Sequence, residues 1–334
     1  MPNPDGPDVS VQGVSGTSPL RMAKNLVASI QKGNFSHVLL QYTAQMWGAT
    51  RFGSVAPEWF VRTLMEAGTP VSLFAHELYT RVDLRPDLFL GALAMRVQLG
   101  AVMKACENVF VTTESRMRDL EQLFSGLEIS TKAHLIRIAP NALPVPHRSV
   151  PGRKHLGVFS TPATTKRFDV VLDAFDEIRR SHPEASLSLL GDIGKTSDAS
   201  TGGIRTRMAA DLKTGRIRLP GKQSLSQIAR EIAELDVYLF PMTTGANTRS
   251  GTLPLALGAG LPVIAVIGQE TDSLFVDGDN IIFASAMKPG AFAHAALRVF
   301  SDDSLRDRVS KGARHLYDQH LSWERIGDAI ARWL

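Results

Sequence analysis

The chain has 334 residues, of which 44% are apolar and 21% charged; this excludes disordered and collagen-like classes and is enough length for two separate cores. Thirty-seven Lys and Arg against 33 Asp and Glu leave a formal charge of +4. That balance is compatible with anionic small molecules or a membrane surface, and is too weak to point to nucleic acid.

Cys106 is the single cysteine, so no internal disulfide can form and a reducing compartment is expected. It falls in the helix-like "AVMKACENV", where a buried structural thiol is the expected role. The apolar run "LPVIAVIG" is far shorter than the roughly 20 residues that span a bilayer. Residues 1–17 are rich in Pro, Gly, Ser and Asp, with neither the basic start nor the apolar core of a signal peptide. They read as a flexible tail on a cytoplasmic protein.

From Ser36 onward, short apolar runs alternate with longer helix-period segments, the pattern of parallel sheets covered by helices. The first half predicts strands at "HVLLQY", "PVSLFA", "NVFVTT" and "HLIRIA", with helices near 57–67, 86–106 and 114–124. Four prolines among residues 139–155 exclude a helix or a central strand there. A first domain over 18–145, a linker over 146–154 and a second domain over 155–320 follow.

The second domain predicts strands at "HLGVFS", "ASLSLLG", "RIRLPG", "VYLFP" and "LPVIAV". Helices are expected near 169–182, 202–214 and over "SLSQIAREIAELD". Ser322 is a plausible N-cap for an amphipathic helix over 321–334, expected to pack toward the first domain. The fold class is α/β, with two doubly wound, Rossmann-like domains facing a cleft.

In such sheets ligands bind beyond the carboxyl ends of the strands. After "VYLFP" comes "PMTTGANTRSGTLPLALGAG", a run of small and polar residues ahead of a helix predicted to start near Thr252. Pro254 fits the first turn. The amides of Ser250, Gly251 and Thr252 would face an anion, and Arg249 adds a cation that can fork onto phosphate oxygens. The alternative is a flexible loop before an ordinary capped helix.

Lys166 and Arg167 follow the small-residue loop in "FSTPATTKRFD", either as a solvated face or as a second cationic loop on the same rim. "LLGDIG" places Gly191 and Gly194 on a third. In the first domain "SLFAHELYT" puts His76 past a strand end, as a structural or a cleft-facing histidine, and "APNAL" brings Asn141 to the hinge side. Asp277-Gly278-Asp279 reads as a turn between two short strands more readily than as a metal ligand pair. No side-chain set shows metal-ligand spacing.

These segments, in this order, resemble GT-B glycosyltransferases of retaining family 4 (glycosyltransferase group 1), over most of the chain from residue 36. The resemblance rests on "HLGVFSTPATTKRFDVVLDAFDEI", "ELDVYLFP", "LALGAGLPVIAV", "VDGDNIIFAS", "FAHELY" and "RIAPNAL". It implies GT-B architecture with a shortened N-terminal domain, and sugar transfer from a nucleotide-sugar donor to a saccharide, lipid-linked or small-molecule acceptor. Retention, no metal, no cofactor and no nucleic-acid partner are implied, with peripheral membrane association compatible.

Carried over residue by residue, the resemblance assigns Lys166 to the donor phosphate and His76 to the donor sugar or reacting hydroxyl. Arg249 stabilises the leaving diphosphate, with Arg167, Gly191, Asn247, Ser250, Gly251 and Thr252 on the donor. Where the family carries paired glutamates, one toward the sugar and one toward the ribose, this chain has Asn247 and Leu255. Phe159 or Ser160 stands in place of its arginine, and "VQGVSGTSP" would be the remnant of its acceptor loop. A catalytically inactive GT-B-like binding or regulatory subunit is the alternative, with a nucleotide-sugar epimerase more distant.

Overall fold

A computed structural model of the chain describes residues 18–33, 35–43, 47, 54–78, 86–125, 131–159, 165–191 and 199–334. The expected tail at 1–17, most of the acceptor-loop segment, Ser160 and Gly194 lie outside the described residues. The chain divides into two compact units, one ending at Val111 but including Arg116–Leu135 and Leu334, the other formed by Thr112–Ser115 with Ile136–Trp333.

The first unit runs α1 (Pro19–Gly33), β1 (Val38–Thr43), α2 (Ala56–Glu66), β2 (Val71–Glu77), α3 (Pro86–Ala105), β3 (Val109–Val111), α4 (Glu114–Leu123, whose first two residues group with the other unit) and β4 (Ala133–Leu135). Its strands pair in parallel in the order β1-β2-β3-β4. β2 and β3 are apolar runs because helices cover them; Val71 to Ala75 and Val109 to Val111 are buried without alternation. Helix α1 is absent from the expected elements: only Ala23 and Val27 are buried along its 15 residues, and one of the two is an alanine, which leaves a weak apolar signal. Cys106 lies just past α3, buried, and burial pushes its thiol up to about 12.

The second unit runs β5 (His155–Phe159), α5 (Phe168–Ser181), β6 (Ser186–Leu190), α6 (Ala199–Lys213), β7 (Ile217–Arg218), α7 (Leu225–Ala233), β8 (Val237–Leu239), α8 (Thr252–Ala259), β9 (Val263–Ala265), β10 (Ile282–Phe283), α9 (Pro289–Ser301), α10 (Asp303–His320) and α11 (Trp323–Ala331). All its sheet pairs are parallel, in the order β10-β9-β8-β5-β6-β7. The chain builds outward from β5 in one direction, then returns to pair β8 on the other side. This is the Rossmann order, with its switch point between β5 and β8.

The sheet has a core on each face, and successive strand residues go to opposite sides. Val237, Leu239 and Ile264 join the cluster around Phe175, Val299 and Phe292; Tyr238, Phe240, Val263 and Ala265 join the one around Leu253 and Tyr317. α5 fits its place through Val170, Val171, Ala174, Phe175 and Ile178 on one face, with Asp169 in its first turn and Arg179 and Arg180 in its last. Asp302 ends α9 and caps α10, its carboxylate accepting from the Leu305 amide at 2.9 Å. Ser322 caps α11, accepting from the Arg325 amide, and the Trp323 indole N–H donates to the Pro140 carbonyl at 2.9 Å.

The division between units falls at Leu135/Ile136, ahead of the linker expected over 146–154. The proline-rich stretch belongs to the second unit because its free backbone donors find helix ends there. His147 N–H donates to the Ala259 carbonyl at 2.8 Å and Arg148 N–H to that of Ala233 at 3.3 Å, while Ala142 and Val145 pack on the core.

Asp236 pins the amino ends of β5 and β8. Its carboxylate accepts from His155 N–H at 2.8 Å and takes a fork from Arg153 at 3.0–3.2 Å, while its own amide donates to the His155 carbonyl at 2.7 Å. Asp236→Ala leaves the buried His155 amide and the part-buried Arg153 fork without their acceptor and is expected to cost about 2 kcal/mol in urea denaturation, whereas Glu234→Ala, on the exposed side of Arg153, should stay within about 0.5 kcal/mol.

Candidate functional site

At the carboxyl edge of the second sheet, the loops leaving β5 and β8 are stitched together. Lys166 and Met242 form an antiparallel bridge; Arg167 N–H donates to the Pro241 carbonyl at 3.0 Å and Thr243 N–H to that of Thr165 at 2.9 Å. Between them lies a pocket of about 250 Å³ lined by Phe159, Lys166, Phe240, Pro241, Met242, Asn247, Arg249, Ser250 and Thr252. It sits at the strand-order reversal, where parallel sheets hold ligands.

Five of the site residues expected from the sequence therefore meet in one place: Lys166, Asn247, Arg249, Ser250 and Thr252. Gly251 is the N-cap of α8, without a side-chain cap; Leu253 N–H turns back to the Ser250 carbonyl at 3.3 Å and Pro254 has no N–H, so the amides left to an anion are those of Gly251 and Thr252. A side chain on Gly251 would come within 3.6 Å of the Asn141 amide, which places the expected hinge asparagine against this turn. Ser250 and Thr252 hydroxyls lie 3.0 Å apart at the helix start.

Lys166 is half-buried, and desolvation holds its ammonium below the usual lysine range. Among the described residues no carboxylate pairs with it. A desolvated cation without a counter-ion is a place where an anionic ligand gains most.

Other expected residues stand elsewhere. Arg167 does not line the pocket: its guanidinium forks onto Asp169 at 2.6–3.1 Å, two residues along. Gly191 follows β6 with φ +103° and is outside the lining. Leu255 is 4% exposed and belongs to the apolar core beneath the helix, so it presents nothing polar to a ribose. His76 lies in the first unit at the carboxyl end of β2, its Nε2 2.5 Å from Gln41 Oε1 and its ring 4.9 Å from that of Phe74; desolvation holds it below the usual histidine range. Asp277 serves a turn, accepting from Phe283 N–H at 2.7 Å.

Asn247 is 2% exposed, and its amide is engaged within the loop. Oδ1 accepts from Arg249 N–H at 3.2 Å, and Nδ2 donates to Glu270 Oε2 at 3.3 Å. Glu270 also lies 3.6 Å from the Arg249 guanidinium. Sequence reasoning missed this carboxylate, though "IGQETD" follows a strand and enters the same rim. It also missed the apolar lining of Phe240 and Met242. Asp272, fully buried, holds the neighbouring turn: its carboxylate accepts from Thr248 N–H at 2.7 Å, Thr248 Oγ1 at 2.8 Å and Glu114 N–H at 3.1 Å. Its burial pushes that carboxyl above the usual range.

The loops after β8 and β9 touch through glycines. Gly245 has φ +94°, and a Cβ there would sit 2.6 Å from Gly268 N and collide with Thr271 Oγ1. Gly245→Ala is therefore expected to lower stability by at least about 2 kcal/mol, against about 1 kcal/mol for Gly152→Ala, where φ is +77° but the space is open; guanidinium denaturation of both separates collision from backbone strain.

Residues 153–302 match the family described as Glycosyl transferases group 1. The match begins just before β5 and ends after α9, so it contains the whole pocket. Among solved structures, HepE from Anabaena in complex with UDP is 14% identical at a TM-score of 0.72, covering 96% of this chain and 84% of that one. A glycosyltransferase from Rickettsia africae is 14% identical at 0.71, covering 97% and 83%. Sucrose-phosphate synthase from Thermosynechococcus elongatus is 14% identical at 0.68, covering 99% and 85%. The fold is that of GT-B glycosyltransferases, α/β with two parallel-sheet units. No curated protein matches the chain by sequence. Among the described residues no helix is long and apolar enough to cross a membrane.

Proposed function

We propose that the chain is a glycosyltransferase that moves a sugar from a nucleotide-sugar donor to an acceptor hydroxyl, with retention and without a metal. The observation that carries this reading is the pairing of Lys166 and Arg249 on one pocket at the switch point of a sheet that matches the group 1 glycosyltransferase family. It is supported by the fold shared with HepE, whose structures include complexes with UDP and with UDP-glucose.

In this reading the bond between the anomeric carbon and the diphosphate breaks, its electron pair leaving on the phosphate oxygen. Lys166, Arg249 and the amides at Gly251 and Thr252 stabilise that growing charge. The acceptor oxygen attacks from the same face, and its proton passes to the departing phosphate oxygen, so no side-chain nucleophile is required. Phe159, Phe240 and Met242 exclude water around the phosphates. His76, whose neutral form is favoured by desolvation, is assigned to orient the donor sugar or the reacting hydroxyl.

Lys166→Ala or Arg249→Ala is expected to weaken nucleotide-sugar binding at least tenfold, about 1.4 kcal/mol, by calorimetry; unchanged affinity in both variants would remove the assignment. The pH dependence has a definite sign. Burial lowers the Lys166 pKa, so donor affinity should decline as pH rises through that lowered value, ahead of an ordinary lysine, and Lys166→Met should abolish the decline.

A catalytically inactive binding subunit is the second reading, favoured by Leu255 in the core and by the internal engagement of Asn247. A thermal-shift panel of nucleotide sugars with a donor-hydrolysis assay separates the two. A donor at 100 times its dissociation constant adds about 2.7 kcal/mol of stability. Slow hydrolysis with that shift supports the transferase, and binding without any turnover supports the subunit.

A further inference from the structure

The two cations of the pocket are not equivalent. Among the described residues Lys166 has no acidic partner, whereas Arg249 lies 3.6 Å from Glu270 Oε2, with side-chain exposures of 34% and 15%. That separation is a close ion pair but too long for a hydrogen bond, so the guanidinium keeps its donors for another acceptor. We propose that Glu270 is a positioning residue that shares Arg249 with the donor's diphosphate, aiming the guanidinium before binding and taking it back as the nucleoside diphosphate leaves. This rests on the glycosyltransferase reading above and adds a residue to it.

The geometry favours movement of the arginine over movement of the acid. Glu270 is anchored at both ends: its amide donates to the Thr244 carbonyl at 2.9 Å, and its carboxylate accepts from Asn247 Nδ2. The chain around it is pressed onto the preceding loop, with Gly268 so close to Thr244 that a Cβ would lie 2.5 Å from its carbonyl oxygen. Arg249 has a long stem and is the more exposed partner. It can rotate its fork toward phosphate oxygens while Glu270 stays behind.

The energetic consequence follows from like charges. A carboxylate beside the diphosphate site opposes the bound anion and competes for its cation. Lys166 supplies unshared attraction; Arg249 supplies attraction discounted by Glu270. Such an arrangement gives up some donor affinity and speeds loss of the charged product, a step that limits turnover in many enzymes.

The test is calorimetry on the full chain with UDP, GDP, ADP and inorganic pyrophosphate, together with stopped-flow dissociation of whichever nucleotide binds. Glu270→Gln keeps an oxygen for Asn247 and removes the charge. It is expected to tighten diphosphate binding by about threefold or more, with slower dissociation, and the gain should vanish in the Arg249→Ala background. Glu270→Asp, which draws the carboxylate back by one methylene, should tighten binding in the same direction and to a smaller extent, and serves if the glutamine variant does not fold. A merely structural role predicts unchanged or weaker affinity in both variants, and that result overturns the proposal. A gain that persists without Arg249 overturns it as well. If the unaltered chain binds none of the probes, the glycosyltransferase reading falls and this inference with it; if it binds and neither variant is tighter, this inference falls alone.

Discussion

The site depends on the parallel pairing of β5 with β8. These strands are adjacent in space, yet three helices and two strands separate them along the chain. Parallel pairing puts both carboxyl ends on one edge, and the chain then departs in opposite directions, toward β6 from one strand and toward β9 from the other. The crevice left by that divergence holds Phe159, Lys166, Met242 and Arg249. Asp236 secures the opposite ends of the same two strands, so the core contact and the pocket are two ends of one pairing.

Around the crevice, small residues and buried polar groups substitute for regular structure. The loops after β5 and β8 exchange backbone hydrogen bonds, those after β8 and β9 meet at glycines, and Asp272 satisfies the amide and hydroxyl of Thr248. A segment with this many satisfied groups is built to hold a fixed shape. The two cations sit on this frame in different surroundings: Arg249 lies 3.6 Å from Glu270, while among the described residues no carboxylate pairs with Lys166.

Much of this was legible in the sequence. The apolar runs located the strands because a sheet buried on both faces needs uninterrupted Val, Ile and Leu. The helix start at Thr252 followed from small residues ahead of an apolar run with Pro254 near its beginning. Helices α1, α9 and α10 were not anticipated: the buried positions of α1 and α9 are largely alanines, whereas α10 does carry Leu305, Val309, Leu316 and Tyr317 at helical spacing, a signal that was there to be read. The proline-rich stretch was expected to be a linker because prolines forbid regular elements, while its remaining amides bond to helix ends distant in the chain.

The site divides in the same way. Composition and local order determined the sheet class, the anion-suited turn and the identity of two candidate cations, because those features depend on neighbours within a few residues. Tertiary structure decided which side chains share a pocket. It sank Leu255 into the core, brought Lys166 from the loop after β5 into one pocket with Arg249 from the loop after β8, and carried Glu270 from the loop after β9 to Asn247 and Arg249. Strand order sets those meetings: residues far apart in the chain become neighbours only when the sheet reverses direction, and no local pattern encodes that reversal.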